Sequence, residues 1–518
     1  MDNENASSSV NFIPCVKWVR KGVAKEIPEK VQLTEEELQE IINQTKTELR
    51  TVEADEDSEN KGTDEIPVID ASDEYNFDQY DEEKIKLDAM LGIGNLTIYP
   101  SNRADPYVTL DGNEDDDSEK EDDVINPKDN LILVGHVEGD ASILEVYVYN
   151  EEEGSLYVHH DLLLPAFPLC IEWLSHDPGE GKPGNLCAVG SMSPVIDVWD
   201  VDIVNCLEPV FRLGRRANKR KETAKYGHRD AVLGLSWNAN VTHVMASGSA
   251  DRTVLLWDLN SGQIAATLSA FQEKVQTLQW HPFEGQTLLV GSCDKLARVF
   301  DCRMEDSHRD WSVSGEVEHV LWNHFSPFHF LVSTNSGSVH CVDCRSDAPL
   351  WELNAHSKEV TGVALSSQCP GMLMTAGADG KLKTWDILDG KPSLVYSQEQ
   401  KLGALLCLEA CPDLPFIACL GGENKNHNFT VVDAMDIFAV QNRFADRKLV
   451  CPVKLEEAAG DGSSEETADD MIESLSLETT DENQPSSSRV TMKSFQSHSL
   501  KKGDARGKKK RATKKKYI

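Results

Sequence analysis

Residues 232–269 read VLGLSWNANVTHVMASGSADRTVLLWDLNSGQIAATLS, and this stretch decides the fold. Four runs, VLGLSWN, HVMASGS, TVLLWDL and QIAATLS, carry alternating apolar residues and are separated by Asn, Asp, Gly and Ser turn residues. That is the pattern of a four-stranded antiparallel unit. Working outward, the end of the third run recurs as VWD (198–200), VFD (299–301), CVD (341–343), TWD (384–386) and VVD (431–433). The marker positions Trp199, Trp257, Phe300, Val342, Trp385 and Val432 step by 58, 43, 42, 43 and 47. The long step holds a basic patch, GRRANKRKETAKYGH (214–228), and without it the spacing returns to 43. A second series, Trp237, Trp280, Trp322 and Leu365, stands 20 residues before Trp257, Phe300, Val342 and Trp385; Trp173 and Trp199 form the same pair stretched to 26.

A period near 43 residues built of four short strands is that of a WD40 propeller blade. Five blades are expected between 168 and 397 and a sixth to about 440. A seventh begins as NLILVGH, ILEVYVYN and SLYVHHD over 131–161, with no inner strand directly before it. The run FIPCVKWV (12–19) offers that strand, which predicts a first blade split by an insertion and a ring closed between distant parts of the chain; an alternative adds 12–19 as the outer strand of the last blade. The fold class read here is all-β: a seven-bladed WD40 β-propeller with a disordered acidic insertion and a basic C-terminal tail.

Polar residues recur with the blades. His228 stands 29 residues before Trp257, and His356 stands 29 before Trp385; Asp251 and Asp379 each fall six before their Trp. With a strand hydroxyl (Ser247 or Ser249, and Thr375) these predict two buried chains, because a buried carboxylate has to be paired. Repeat 4 has Phe271 and Phe300 at the His and Trp positions and repeat 5 has Val313 and Val342, so those blades are expected to hold by packing alone. The sets read as structural.

The 518 residues carry a formal net charge of −37, unevenly spread. Residues 51–123 hold 25 Asp/Glu against 5 Lys/Arg, too little apolar surface to offset ordering entropy. Tyr75, Phe77 and Tyr80 sit there as in short docking peptides. Ser58 and Ser118 precede acids and are candidate phosphosites. Before the insertion, Thr34 and Glu37 form a capping box for a helix over 34–50, packed on the propeller or docking a partner. After 456–482, with its 11 acids, residues 489–518 hold 12 Lys/Arg against Asp504 alone. Two basic segments, Arg215, Arg216, Lys219, Arg220 and Lys221, and then Lys508, Lys509, Lys510, Arg511, Lys514, Lys515 and Lys516, are candidates for nuclear import or for phosphate contacts. Neither interleaves aromatics for base stacking, so nucleic-acid contact there would be unspecific.

Other classes are disfavoured. No stretch approaches the ~18–20 apolar residues of a membrane span, and MDNENASSSV lacks the n- and h-regions of a signal peptide. The 13 cysteines lie mostly in apolar runs, as small buried hydrophobes of a reducing compartment do. Cys341 and Cys344 have CxxC spacing, but strand alternation puts their sulfurs on opposite faces; His159 and His160 are expected to alternate likewise, with one solvated. Walker, HExxH and GxSxG motifs are absent, so the reading is no enzyme, no metal and no cofactor.

The segments WVRKGVAKEIPEKVQLTEEEL, SNRADPYVTL, VYVYNEEEGSLYVHHD, PVIDVWDVDIVNCLEPVF, VQTLQWHPFEGQTL and WNHFSPFHFL, with the doubled tryptophan series, resemble the periodic tryptophan protein 1 homologues, a eukaryotic WD40 family. The resemblance covers roughly 12–50 and 96–450. It implies a nuclear and nucleolar, chromatin-associated factor in ribosome production, acting in rRNA gene transcription or in pre-ribosome assembly. Two classes follow: a scaffold binding histones, other basic chromatin proteins, RNA polymerase I factors or ribosome assembly factors, or a protein contacting rRNA or rDNA through its basic segments. The acidic insertion would then be a ligand for basic proteins or an intramolecular mask over 215–225 or the tail.

Overall fold

The computed structural model describes residues 10–31, 124–179, 183–216, 225–304 and 307–450. The expected helix over 34–50, the acidic insertion 51–123 and the C-terminal tail from 451 lie outside them. The chain forms a seven-bladed β-propeller of antiparallel blades, four-stranded in blades 1 to 6 and three-stranded in blade 7. The inner strands are Asn11–Val19, Pro168–His176, Val232–Trp237, Val275–Trp280, Val317–Trp322, Val360–Leu365 and Leu405–Ala410. They all run in one sense along the axis. The face on which they begin is called upper here, and the face on which they end lower.

Small residues set the spacing between blades. The second strand of blade 3, VMASGS, is buried from Met245 to Ser249, and a Cβ on Gly248 would lie 2.7 Å from Val275 Cγ1 and 2.8 Å from Leu278 Cδ2 of blade 4. The inner strand of blade 4 therefore sits against bare backbone. Its own Val275 and Leu278 fill the space, sharing a core with Ala246, Val254 and Leu256. The outer strand, Gln263–Leu268, alternates exposed and half-buried residues, as a strand with one face in water does.

Blade 1 takes its inner strand from far away in sequence. Asn11–Val19 lies antiparallel to Asn130–Glu138, with Val19 opposite Leu131 and Asn11 opposite Glu138. On its other side it meets blade 7, where Ile13, Val16 and Trp18 share a core with Ile417, Cys419 and Phe429. Beyond the strand, Lys21 N donates to Asp413 Oδ2 (2.9 Å), the same oxygen that Asn130 Nδ2 reaches at 2.7 Å. Glu29–Lys30 then pairs in parallel with Ile203–Val204 of blade 2.

Blade 7 ends differently. Among the described residues no fourth strand follows Phe429–Asp433; the helix Phe438–Phe444 follows instead. Its buried Val440 and Phe444 pack with Met372, Leu382 and Leu408 between blades 6 and 7. Asp386, the last residue of TWD, accepts from Arg443 Nε (2.6 Å) and from both Arg447 amino groups (3.0 and 2.6 Å), which pins this helix.

One expectation about strand alternation fails. A bulge lets Val146 oppose His160 and Tyr147 oppose Val158, so His159 is skipped in the ladder. The extra residue cancels the alternation, and the His159 and His160 Nδ1 atoms come within 2.9 Å of each other.

Candidate functional site

The site is built from the residues that recur with the blades, so the two hydrogen-bonded chains come first. In blade 3, Trp257 Nε1 donates to Ser247 Oγ (2.8 Å), His228 Nε2 lies 2.7 Å from the same oxygen, and His228 Nδ1 is 3.2 Å from Asp251 Oδ2. Since the indole can only donate, the hydroxyl proton goes to Nε2, and Nδ1–H is left for the carboxylate. Asp251 also accepts from Arg229 N (2.7 Å), Thr253 N (3.0 Å) and Thr253 Oγ1 (2.6 Å). Burial opposes ionisation of Asp251, but these donors outweigh it and hold the carboxyl well below its ordinary value. Ser249 is not in the chain; its hydroxyl donates to Asp230 O. Gly227, at φ +101°, has no room for a side chain: a Cβ would lie 2.9 Å from Gly214 Cα and 3.2 Å from the Trp257 ring.

Blade 6 repeats the arrangement. Trp385 Nε1 donates to Thr375 Oγ1 (3.0 Å), which lies 2.8 Å from His356 Nε2, and His356 Nδ1 is 2.9 Å from Asp379 Oδ1. Burial lowers the His356 value more than Asp379 raises it. In both chains every polar atom is engaged by a neighbour inside its own blade, which leaves none aimed at a substrate.

Blade 4 does not hold by packing alone. Where blade 3 has its histidine and tryptophan, Phe271 and Phe300 stack at 5.7 Å. Arg298 lies 5.1 Å over Phe271 and makes a two-pronged ion pair with Asp294 (3.0 and 2.7 Å). A buried Asp in the same turn is thus paired by a strand arginine instead of a histidine. Blade 5 also keeps polar contacts: Ser314 Oγ lies 3.0 Å from His340 Nε2, and Thr334 Oγ1 lies 2.8 Å from Ser336 Oγ.

Part of the second tryptophan series, with Trp18 at the same register, ties blade to blade, whereas Trp173 and Trp237 bond within their own blades to Asn185 Oδ1 (2.9 Å) and Thr242 O (2.7 Å). Trp280 Nε1 donates to Ser236 O (3.1 Å), Trp322 Nε1 to Gln279 O (3.2 Å), and Trp18 Nε1 to Glu409 O (3.2 Å), each reaching the preceding blade. The residue before the series position does the same with its side chain. Glu172 accepts from Trp237 N (3.1 Å), Ser236 from Trp280 N (3.1 Å) and Gln279 from Trp322 N (2.6 Å). These axial residues escaped the sequence reading, although blades 1 to 4 and 7 carry a polar residue at one register position (Lys17, Glu172, Ser236, Gln279 and Glu409), where blades 5 and 6 have Leu321 and Ala364.

They line an axial cavity of ≈ 460 Å³ bounded by all seven inner strands. Within it Lys17 Nζ bridges Glu172 Oε2 (2.9 Å) and Glu409 Oε1 (3.2 Å), joining blade 1 to blades 2 and 7. Burial opposes the Lys17 charge, and the two carboxylates outweigh it, so its value is raised; burial raises that of Glu172 despite Lys17. Burial lowers His319 beside them.

Of the remaining candidates, Arg215 and Arg216 are exposed at the neck of the basic loop, where Arg215 and Tyr226 exchange backbone hydrogen bonds. Lys219, Arg220, Lys221, the seven C-terminal cations, Ser58 and Ser118 lie outside the described residues. Cys341 and Cys344 pack into different cores, one toward blade 6 and one toward blade 4. Among the described residues no cluster of three or more His, Cys, Asp or Glu is arranged to hold a metal ion, and no helix is long and apolar enough to cross a membrane.

Comparison with known proteins agrees with this geometry. The WD domain, G-beta repeat family matches residues 220–258 and 347–386, which span the two complete polar chains. The chain is 42% identical over 460 residues to the periodic tryptophan protein 1 homolog of Drosophila melanogaster, covering 85% of this chain and 96% of that one. It is 32% identical over 514 residues to periodic tryptophan protein 1 of Saccharomyces cerevisiae, covering 82% and 88%. A more distant similarity, 24% over 209 residues, is to the ribosome biogenesis protein WDR12 homolog of Drosophila mojavensis, over 38% of this chain and 47% of the relative.

Proposed function

The chain belongs to the periodic tryptophan protein 1 family, and from that premise we propose that it is a non-enzymatic nuclear and nucleolar scaffold supporting ribosome biogenesis. The observation that carries the scaffold reading is the use of its recurrent polar residues. His228, Asp251, His356 and Asp379 hold turns within blades, and Glu172, Ser236 and Gln279 hold blade to blade. Side chains that elsewhere perform catalysis are consumed here in making a rigid ring, so what the ring offers is surface. The relation to a ribosome biogenesis protein supports the process.

The finer reading adds chromatin and rRNA gene transcription by RNA polymerase I. Its support is charge: an insertion with 25 acids against 5 bases attracts Lys/Arg-rich histone tails and similar basic proteins through a solvated, salt-sensitive contact. Depleting the chain and pulse-labelling rRNA separates the levels. Reduced synthesis of the precursor supports the transcriptional role, and normal synthesis with stalled maturation supports pre-ribosome assembly. Normal synthesis and maturation together would overturn the proposal.

A further inference from the structure

Blades 1 to 6 close their outer rim with a fourth strand antiparallel to the third. Blade 7 has none among the described residues, so its third strand, Phe429–Asp433, is an open edge. The hydrogen-bond ladder decides which groups are free. Gly422 N donates to Asn428 O (2.8 Å) and Ala434 N to Phe416 O (2.9 Å). Bonding to the second strand therefore falls on every second residue, Thr430 and Val432 included. The backbone groups of Phe429, Val431 and Asp433 point the other way, and none of these three N–H groups donates to a described residue.

Without a fourth strand there, the neighbouring blade is uncovered as well. In blade 3, Ile264 of the fourth strand stands opposite Trp257 and is half-buried against a core that Phe211, from the fourth strand of blade 2, also joins. Blade 1 has no such cover. Leu156 stands opposite Tyr149 and Val158 opposite Tyr147, and residues directly opposite share a face. That face is turned to blade 7, since Tyr147 lies 4.9 Å from Phe429, and both tyrosines pack on the core shared with Ile417 and Cys419. Yet Leu156 is 37% and Val158 45% exposed. An open edge and an apolar groove thus lie side by side. At their lower end Asp433 and Asp436 form no ion pair with any described residue, and Glu151 has only Lys21, at 3.7 Å. Burial first, and then the charges of Asp433, Glu151 and Asp436, push the Tyr149 hydroxyl above its ordinary value, which gathers the three carboxylates around it.

We infer that the edge of blade 7 and the groove beside it take up, as a fourth strand, an extended segment of a basic partner protein. The segment carries Lys/Arg first and then apolar residues at alternate positions. The edge selects a strand, because an extended backbone presents donors and acceptors at the matching repeat. Tyr147, Leu156 and Val158 select apolar side chains at every second position. The order of charge follows from direction. Phe429–Asp433 ends on the lower face, so an antiparallel fourth strand starts there, and its first residues meet Asp433, Asp436 and Glu151. Charge disfavours the chain itself as occupant. Residues 51–123 hold 25 acids against 5 bases, and a second copy brings a net charge of −37, both repelled by an acidic mouth. The basic tail places Val490, Met492 and Phe495 before its lysine cluster, the reverse of the order needed. The inference rests on the scaffold reading and names the chemistry of a partner; peptide affinity and rRNA maturation are read separately, so either can fail alone.

The test uses the full chain and a labelled peptide that begins Lys-Arg-Lys and continues with Val and Thr in alternation for about six residues, a usual strand length. Anisotropy should show saturable binding, and hydrogen exchange at the Phe429, Val431 and Asp433 amides should slow when the peptide is bound. Scrambling the peptide, or moving its basic triplet to the other end, should weaken binding roughly tenfold or more. N-methylation of one alternate set of peptide amides should abolish binding and of the other set should leave it, because only one set faces the edge. Leu156→Asp with Val158→Asp alters two exposed side chains, and should weaken binding by about tenfold at an unchanged melting temperature. Glu151→Gln with Asp436→Asn should flatten the salt dependence. The inference is overturned if the peptide does not bind, if the scrambled peptide binds as well, or if the Leu156 and Val158 variant keeps full affinity. It is equally overturned if binding appears only after 51–123 or 489–518 is deleted, which assigns the edge to this chain. Slower edge exchange at higher protein concentration without peptide would assign it to a second copy, and overturns the inference too.

Discussion

Replacing Asp251 by alanine tests the internal logic of the ring. The carboxylate accepts four hydrogen bonds, from His228 Nδ1, Arg229 N, Thr253 N and Thr253 Oγ1. Arg229 is exposed and its amide finds water, but His228 is fully buried and its Nδ1–H keeps only Thr253 Oγ1, at 3.3 Å. Hydrogen bonds to a charged acceptor contribute about 1.5–3 kcal/mol, and leaving a buried donor with so long a contact puts the expected loss near the upper end, at about 3 kcal/mol. For a ring of this size that lowers the melting temperature by roughly 5 °C. Ser336→Ala is the matched control. It removes the side chain at the equivalent turn position of blade 5, where the residue is exposed and touches only Thr334 and Ser314, so its effect should stay within about 0.5 kcal/mol. Thermal and urea unfolding, followed by tryptophan fluorescence, give both values. The pH dependence has a definite sign. A carboxyl held below its ordinary value of 3.8 stabilises fully above that value and loses its contribution as pH falls through the folded one. The gap between the parent chain and Asp251→Ala should therefore narrow below about pH 4. Equal losses for Asp251→Ala and Ser336→Ala at neutral pH would refute the reasoning.

Deleting 1–20 should lower the melting temperature sharply by removing the inner strand of blade 1, while deleting 51–90 should barely move it; an unchanged melt after the first deletion contradicts closure by that strand. Lys17→Met should cost about 3 kcal/mol, because it leaves Glu172 and Glu409 facing each other unpaired on the axis. Adding Glu172→Gln should restore part of that loss, and no recovery in the double variant would mean the charge is not the cause. A fluorescent fusion lacking 489–518 should enter the nucleus but lose nucleolar enrichment; undiminished nucleolar signal would assign the address to the propeller.

The fold was legible wherever one blade repeats another. Trp257, Trp385, His228 and Asp251 stand at fixed offsets because each four-stranded unit solves the same packing problem, and the offsets survive in one dimension. What was not legible depends on closure. Lys17, Glu172 and Glu409 are scattered through the sequence and meet only because the ring brings blade 1 between blades 2 and 7. Substitution by function rather than by type was also hidden. Arg298 takes over from a histidine by reaching back to Asp294 from the third strand instead of from the loop before the inner strand, and nothing in the spacing marks it. The bulge at His159 is a local register change that alternation cannot foresee. Arg252 and Lys295 look like ordinary surface cations in the sequence, yet both adopt the left-handed backbone (φ 67° and 68°) that Gly337 and Gly380 take at the matching turn position of blades 5 and 6.

The most direct test of the scaffold reading is recovery of partners. The tagged full chain is purified from nuclear extract with and without nuclease treatment, and the bound proteins are quantified. A scaffold that works through its propeller keeps its ribosome assembly partners after the RNA is digested. Loss of those proteins on digestion, with RNA alone having linked them, would contradict it.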